Sequence, residues 1–226
     1  MLSRWIIYQK ERFPLLKYGL IVSAFTYSGL CVSSMMRGAA GLPDPKAFLM
    51  AFPAALILFL QLRVADEFKD REEDALYQPE RPVPRGLVAL DELFAIGITG
   101  AAVQFLLTIA YHGALLLPLA VTWLYFLLMS REFFIRDWLK ARPFTYLWTH
   151  MLILLFVDIY ITSFDWLVAG TAAPAALLLF LGVSFLNGVV IEIGRKIKSP
   201  QEERPGVETY TKAWGIRGAL SAWLAA

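Results

Sequence analysis

The chain has 226 residues, 58% of them hydrophobic, and a formal net charge of only +2. Soluble domains are nearer about 45–50% apolar. Several apolar runs reach the roughly 20 residues that a helix needs to cross a bilayer. Composition therefore predicts an integral membrane protein made of helices. The small net charge argues against a nucleic-acid partner. The continuous apolar runs are unlike the alternating segments of a membrane β-barrel.

The chain divides into a short N-terminal segment and a series of apolar spans. In the first 14 residues, Trp5, Ile6 and Tyr8 lie among cations, which predicts a segment on the membrane surface. We predict a polytopic, all-α bundle in which residues 1–226 form one transmembrane domain. Residues 214–226 resemble the start of a seventh span, so this end either lies in the interface or belongs to a chain shortened at its C-terminus. The six predicted spans cover about residues 15–36, 47–65, 87–109, 114–131, 144–163 and 171–191.

Lysine and arginine predict the orientation. Of the 21 cations, only Arg37 and Lys46 fall in the connections after spans one, three and five. By the positive-inside rule, the N-terminus and the other connections are cytoplasmic. The expected location is a bacterial inner membrane, and membrane lipids are expected partners.

Polar residues inside the spans have mostly structural interpretations. Gln61 and Gln104 are expected to join helices, and His150 is expected to be a hydrogen-bonded structural histidine. Asp158 lies deep in the fifth span, where an ionisable group suggests function. We expect it to pair with a residue nearer the outer side.

The segment from Asp66 to Asp74 is the most distinctive feature of the chain. It holds six carboxylates and two cations, a net charge of −4. On a helix, Asp66, Asp70 and Asp74 are one turn apart, and Glu67 joins them. Such carboxylates repel one another, and Mg²⁺ relieves this repulsion while completing its shell with phosphate oxygens. On spacing alone, a solvated charged face and a metal site are equally good interpretations.

Longer motifs around this segment favour the metal site. Asp66-Glu67-x-x-Asp70-x-x-x-Asp74, then Pro79-x-Arg81-Pro82-x-Pro84-x-Gly86, resembles the first signature of the UbiA family of intramembrane prenyltransferases. That signature is Asn-Asp-x-x-Asp-x-x-x-Asp followed by Arg-Pro and Gly. Trp138-Leu139-Lys140-x-Arg142-Pro143 is similar to the family's Tyr-x-x-Leu-Lys-Arg segment, with the aromatic residue displaced.

The family's second acidic signature is degenerate here. Gly206-x-x-Thr209 fits its ending, but Glu202, Lys198 and Arg195 stand where aspartates are expected. The resemblance covers the whole chain and the first six of the family's nine helices.

The resemblance implies an activity. Such enzymes bind an isoprenyl diphosphate through Mg²⁺, ionise it to an allylic cation and transfer the isoprenyl group to an aromatic or other lipophilic acceptor. The implied catalytic residues are Asp66, Glu67, Asp70 and Asp74. The implied metal ligands are Glu67, Asp70, Asp74, Glu192 and Glu202. The implied diphosphate-binding residues are Arg71, Arg81, Lys140, Arg142, Arg195, Lys198 and Asn187.

Other functions stay open. A non-catalytic protein that binds a lipid diphosphate, or a permease for a divalent cation, is compatible with the same residues. A CDP-alcohol phosphotransferase would need Asp-Gly and Ala-Arg within its motif, and neither lies between Asp66 and Asp74. An open flank on a six-helix bundle is compatible with a homo-oligomer.

Overall fold

The computed structural model describes residues 2–226, and every regular element within them is helical. Short 3-10 turns at Gly113–Leu115 and Glu132–Phe134 precede α6 and α7. The α-helices are α1 (Leu2–Arg12), α2 (Leu15–Met36), α3 (Pro45–Lys69), α4 (Arg71–Tyr77), α5 (Leu90–Tyr111), α6 (Leu116–Ser130), α7 (Arg136–Lys140), α8 (Pro143–Met151), α9 (Ile153–Trp166), α10 (Leu177–Arg195) and α11 (Tyr210–Ala225).

Six helical segments are long and apolar enough to cross a bilayer, which confirms the predicted polytopic, all-helical architecture. They are α2, α3, α5, α6 with its preceding turn, α8 with α9, and α10. The second begins at Pro45, where the Asp44 side chain accepts the Lys46 backbone N–H at 3.0 Å. The sixth begins at Leu177, later than predicted, because Pro174 cannot continue a helical hydrogen-bond ladder.

The fifth span is broken between α8 and α9, which the apolar pattern did not predict. The hydroxyl of Tyr125 donates to the Thr149 carbonyl at 2.7 Å, so a side chain occupies a helical acceptor. The hydroxyl of Thr149 donates back to the Thr145 carbonyl at 2.9 Å, an arrangement that bends helices. The chain therefore turns at Leu152 before α9 begins.

Helices α3 and α9 lie at the centre of the bundle and are its most buried spans. Small residues allow close approach: a Cβ on Gly29 of α2 would lie 3.3 Å from Ile161 of α9. The amide of Gln61 donates to the Gly97 carbonyl at 3.0 Å, and that of Gln104 to the Ala54 carbonyl at 2.9 Å. These bonds confirm that both glutamines join α3 to α5.

Alternating spans bring the N-terminus and residues 66–86, 131–142 and 192–212 to one end of the bundle, here termed the charged end. At the opposite end, Arg37 forms an ion pair with Asp165 at 2.8 Å. The Ser33 hydroxyl donates to the same carboxylate at 2.8 Å. Arg37 is thus engaged by Asp165, neither carboxyl oxygen of Asp158 has a partner among the described residues, and the predicted pairing of Asp158 is wrong.

The N-terminal helix α1 is fastened to the bundle at the charged end. Its Arg4 pairs with Glu92 of α5 at 2.5 Å, and its Arg12 pairs with Glu67 of α3. Tyr8 on this helix and Phe13 directly after it are buried. The predicted surface segment is therefore part of the packed structure.

The C-terminal helix α11 packs along α10 and is not one of the six candidate spans. Its Gly215 has a φ of +69°, so the helix bends there. Trp223 lies over Gly194 of α10, where a Cβ would be 3.1 Å from the indole nitrogen.

The Arg12–Glu67 pair generates a stability prediction. Only 11% of the Arg12 side chain and 1% of the Glu67 side chain are exposed. The Glu67→Ala substitution leaves a buried cation without a counter-charge, which lowers the free energy of unfolding by about 3–5 kcal/mol. Unfolding of the purified protein in detergent measures this.

The matched control is Arg4→Ala at the more exposed Arg4–Glu92 pair, for which we expect about 0–1 kcal/mol. The double variant Arg12→Ala/Glu67→Ala should lose less than the sum of its two single variants. Equal effects of Glu67→Ala and Arg4→Ala would show that the buried pair is not special.

Candidate functional site

The acidic segment lies across the junction of α3 and α4. Asp70 joins the two helices with φ −94° and ψ 8°. The helical spacing survives this junction: the N–H of Asp70 donates to the Asp66 carbonyl at 2.9 Å, and that of Asp74 to the Asp70 carbonyl at 2.8 Å. The side chains nevertheless diverge in their contacts and burial.

Two of the predicted catalytic carboxylates are engaged in buried ion pairs. Glu67 pairs with Arg12 on the side of α3 that faces α1. Asp74, with 5% of its side chain exposed, accepts from Arg81 at 2.6 and 2.7 Å. Arg81, predicted to bind diphosphate, therefore neutralises a carboxylate of its own segment.

Asp66 and Asp70 form the accessible part of the segment. Their side chains are 38% and 34% exposed. The Lys69 ammonium lies 3.4 Å from Asp66 and 4.0 Å from Asp70, and the Arg63 guanidinium lies 3.4 Å from Asp66. We term Arg63, Asp66, Lys69 and Asp70 the central cluster.

The end of α10 meets the central cluster. Arg195 is close enough to Asp66 and Arg63 for their charges to interact, although about 130 residues separate them. The Glu192 carboxylate is paired with Arg195 and lies 3.0 Å from Lys196. The first and third charged segments thus converge, with two cations and a neutralised glutamate on the α10 side.

Two further contacts hold these segments together. The Tyr77 ring lies against Gly206, whose φ is +70° and where a Cβ would come within 2.1 Å of the ring. Only glycine accommodates both that backbone angle and that contact. Glu80 and Arg204 form an exposed ion pair at 3.0 Å.

The second charged segment docks onto the first through Glu73. Lys140 pairs with Glu73, and Arg136 lies 3.4 Å from the same carboxylate. Arg142 is exposed and stacks over the Trp138 ring at 4.2 Å. Neither Lys140 nor Arg142, both predicted to bind diphosphate, is part of the central cluster.

A left-handed turn precedes this segment. Glu132, Phe133 and Phe134 have φ values of 48°, 53° and 61°, which are costly for residues other than glycine. Glu132 is buried and accepts from the Tyr146 hydroxyl at 3.1 Å. The turn therefore supports Tyr146, whose ring lies 5.7 Å from the Lys69 ammonium.

His150 is stacked against Tyr146, with ring centroids 3.9 Å apart. Its Nδ1 donates to the Tyr146 carbonyl at 2.9 Å, which supports the structural interpretation of this histidine. Its buried Nε2 has no hydrogen-bond partner.

The remaining predicted residues are dispersed. Arg71 is exposed, and Asn187 is exposed on the outer side of α10. The Lys198 backbone donates to the Thr211 hydroxyl at 2.8 Å. Glu202 closes a local turn with Ser199, whose backbone N–H lowers the pKa of that carboxyl.

Within residues 2–226, no three His, Cys, Asp or Glu side chains gather in an arrangement able to hold a metal ion. The predicted five-carboxylate set is thus not assembled. A fit to Mg²⁺ rests on Asp66 and Asp70 alone, two partly exposed carboxylates one turn apart, which Lys69 contacts in this structure. This is compatible with an ion that takes one or two carboxylates and leaves the rest of its shell to water and phosphate.

Sequence reasoning gave no place in the site to several residues of this region, above all Arg63, Lys69 and Lys196. The first two are three residues from Asp66 on either side, so helical spacing contained the signal. Lys196 is four residues after Glu192. No comparable signal marked Arg12 as the partner of Glu67, because 55 residues separate them.

Two cavities lie apart from the acidic segment. One, of about 410 Å³, is an apolar groove between α1, α3 and α5, lined by Tyr8, Phe13, Leu60 and Val64 among others. The other, of about 270 Å³, is at the opposite end beside Arg37 and Asp165. Neither is lined by residues of the acidic segment.

Compared with known proteins, the chain matches no family model, no curated protein and no solved structure. Six membrane-spanning helices and a charged end define its class as an integral, multi-pass membrane protein. Membership of the UbiA family is a proposal that rests on the residues themselves.

In the central cluster, the surroundings of Asp70 shift the pKa of its carboxyl group. Burial raises the pKa of Asp70 to about 6, against the opposing effect of Lys69. The carboxylates of Asp66, Asp74 and Glu73 raise it further. The ionised form is therefore less favourable in the folded protein than in the unfolded chain.

This shift predicts how stability depends on pH. Because the folded-state pKa is raised, the contribution of Asp70 is full below the unfolded-state pKa of about 4 and is lost as the pH rises through about 6. The wild type should therefore lose stability relative to Asp70→Asn over this window. With one third of the side chain exposed, the loss is of the order of 1 kcal/mol.

Thermal unfolding in detergent with a chelator, from acidic to neutral pH, measures this difference. Glu72→Asn is the control, because Glu72 is exposed in the same segment and has no ion-pair partner there. A pH-independent difference between wild type and Asp70→Asn would contradict the interpretation.

Proposed function

We propose that this chain is a prenyltransferase of the UbiA type, with its charged end on the cytoplasmic side of a bacterial inner membrane. It would transfer an isoprenyl group from an isoprenyl diphosphate to a lipophilic acceptor. The observation that carries the proposal is the proximity of Arg195, at the end of α10, to the accessible carboxylate of Asp66 at the charged end of the bundle.

Asp66 and Asp70 would hold Mg²⁺, which when bound supplies positive charge to the diphosphate leaving group. Arg195 is well placed to contact diphosphate, since 58% of its side chain is exposed. Arg63 and Lys69 add positive charge to the same region. Diphosphate leaves readily only where its developing charge is neutralised, so these cations favour cleavage of the bond to the isoprenyl group.

Two aromatic rings lie near the cations of this region. Tyr146 lies beside Lys69, and Tyr210 lies beside Lys196, with its ring 5.5 Å from the ammonium. The faces of such rings favour a nearby positive charge, including that of an allylic cation. Their position supports transfer chemistry over simple anion binding.

The isoprenyl chain would lie along the outer flank of α10. Val183, Leu186 and Ile191 are exposed on this side, and the helix leads directly to Arg195. Asn187 is on the same flank, where its amide would meet the polar end of a bound molecule.

A diphosphate-binding protein without turnover is the second candidate, and Lys69 is the observation that favours it. Its ammonium occupies the space between Asp66 and Asp70, where a divalent cation would otherwise bind. Such a protein would hold diphosphate with Lys69, Arg63 and Arg195 directly.

The two candidates differ in their need for metal. For the enzyme, binding of an isoprenyl diphosphate to the purified chain should require Mg²⁺, and Asp66→Asn or Asp70→Asn should weaken it at least about tenfold, the effect of losing one charge-assisted contact. Isothermal titration in detergent, with and without chelator, measures this. The control Glu72→Gln removes a carboxylate of the same segment outside the central cluster.

Binding that ignores chelator but is lost in Arg195→Gln would support the second candidate. Binding that survives Asp66→Asn, Asp70→Asn and Arg195→Gln alike would remove both candidates.

Turnover decides whether the chain is an enzyme. We expect release of inorganic diphosphate when an isoprenyl diphosphate, Mg²⁺ and a panel of lipophilic aromatic acceptors are supplied together. Arg195→Gln should slow release by about tenfold to a hundredfold, because a cation on the leaving group is lost. Tight binding without release across the panel would contradict the transferase.

A further inference from the structure

Asp158 is a carboxyl group that the proposed reaction does not use. It lies in α9 with 0% of its surface exposed, roughly 12 Å along the helix from Trp166. Neither carboxyl oxygen has a hydrogen-bond partner of acceptable distance and angle. A buried polar group without a partner is costly, and an ionised one far more so.

No charged side chain compensates this group from the helices packed against α9. Among the described residues, the Ser184 hydroxyl of α10 interacts with this carboxyl, although its geometry falls short of a hydrogen bond. The nearest acid along the helix, Asp165, already has Arg37 and Ser33 as partners. Within the described residues, Asp158 is therefore the one buried acid whose charge the protein leaves unbalanced.

The register of α2 against α9 places a second unpartnered oxygen at the level of Asp158. Helices α2 and α9 run in the same direction, with Gly29 against Ile161 and Ser33 against Asp165. One turn earlier on each helix, this register brings Thr26 to the level of Asp158. Thr26 is fully buried, and its hydroxyl has no hydrogen-bond partner.

These oxygens define a site with a single negative charge, in which Asp158 and Thr26 are buried and Ser184 is half-buried. We propose that Asp158 is the centre of an intramembrane site for one small monovalent cation, with the Thr26 and Ser184 hydroxyls as its neutral oxygens. One positive charge balances the carboxylate, whereas a divalent ion would leave an excess charge in hydrocarbon. The cation is either a proton or Na⁺, and both would exchange with the bulk solution.

Labelling with the hydrophobic reagent dicyclohexylcarbodiimide tests the site in the full chain in phosphatidylcholine vesicles. The O–H of a protonated carboxyl adds across a C=N bond of the reagent, and the O-acylisourea rearranges to a stable N-acylurea. An ionised carboxylate that holds Na⁺ does not react. Peptide mass spectrometry reports whether Asp158 carries the adduct.

We expect the adduct on Asp158 at acidic pH and its decline as the pH rises in potassium buffer. A Na⁺ site adds saturable protection by Na⁺ that K⁺ does not provide, whereas a proton site shows the pH dependence alone. Asp158→Asn should abolish the adduct. Asp165→Asn should leave it unchanged, because that carboxylate belongs to the Arg37 pair.

Thr26→Val keeps the volume and removes one oxygen of the site. We expect it to move the pH midpoint by about one unit, or the Na⁺ concentration for half-protection by about tenfold, the effect of one hydrogen bond to a charged group. Thr108→Val is the matched control. It removes a buried hydroxyl that is bonded to Tyr160 at 2.7 Å on another helix pair.

Labelling of Asp158 that is independent of both pH and Na⁺ would identify a permanently neutral structural acid and overturn the proposal. So would the absence of an adduct at every pH, or equal effects of Thr26→Val and Thr108→Val. The result does not depend on the diphosphate site, since Asp70→Asn should label as the wild type does.

Discussion

The structure of the charged end depends on neutralisation of the acidic segment by cations of the same chain. A run of six carboxylates at the end of a membrane span would be destabilised by mutual repulsion, and three of them receive a cation from outside the run. Glu67 receives Arg12 from α1, Asp74 receives Arg81 from the following turn, and Glu73 receives Lys140. The Glu67 pair ties α1 to α3, and the Asp74 and Glu73 pairs tie the following turn and α7 to α4, so these charges organise the end of the span.

Some carboxylates of the acidic segment stabilise the fold, whereas others are accessible for chemistry. Glu67 and Asp74 are buried with their partners, and such groups are poor ligands because a metal would have to displace an arginine at high cost. Asp66 and Asp70 are left accessible, with Lys69 beside both and Arg195 near enough to Asp66 for their charges to interact. The capacity to bind a phosphate-bearing molecule therefore lies with Asp66, Asp70 and the cations near them. Asp158 differs from these acids. Among the described residues, every buried acid at the charged end is paired with a cation, whereas Asp158 in the middle of the bundle is not.

The sequence predicted much of this organisation because hydrophobicity and charge act locally. Span positions followed from apolar runs, and Gln61 and Gln104 were identified as helix-joining residues because an amide in hydrocarbon must find a partner. The break at Leu152 was not predictable, since it arises when Tyr125 from another helix takes the Thr149 carbonyl. Arg63 and Lys69 are at helical spacing from Asp66, but diphosphate binding was predicted instead for the more distant Lys140 and Arg142.

The sequence by itself determined that this protein spans a membrane six times, that it gathers its charge at one end, and that Asp66 to Asp74 is the focus of that charge. These properties depend on the transfer of side chains between water and lipid, which each residue carries independently of its neighbours. Only the tertiary structure decided which carboxylates are neutralised and which face solution. That choice depends on Arg12, Arg81 and Lys140 approaching within a few ångströms, and electrostatic energy at such distances is set by packing rather than by position along the chain.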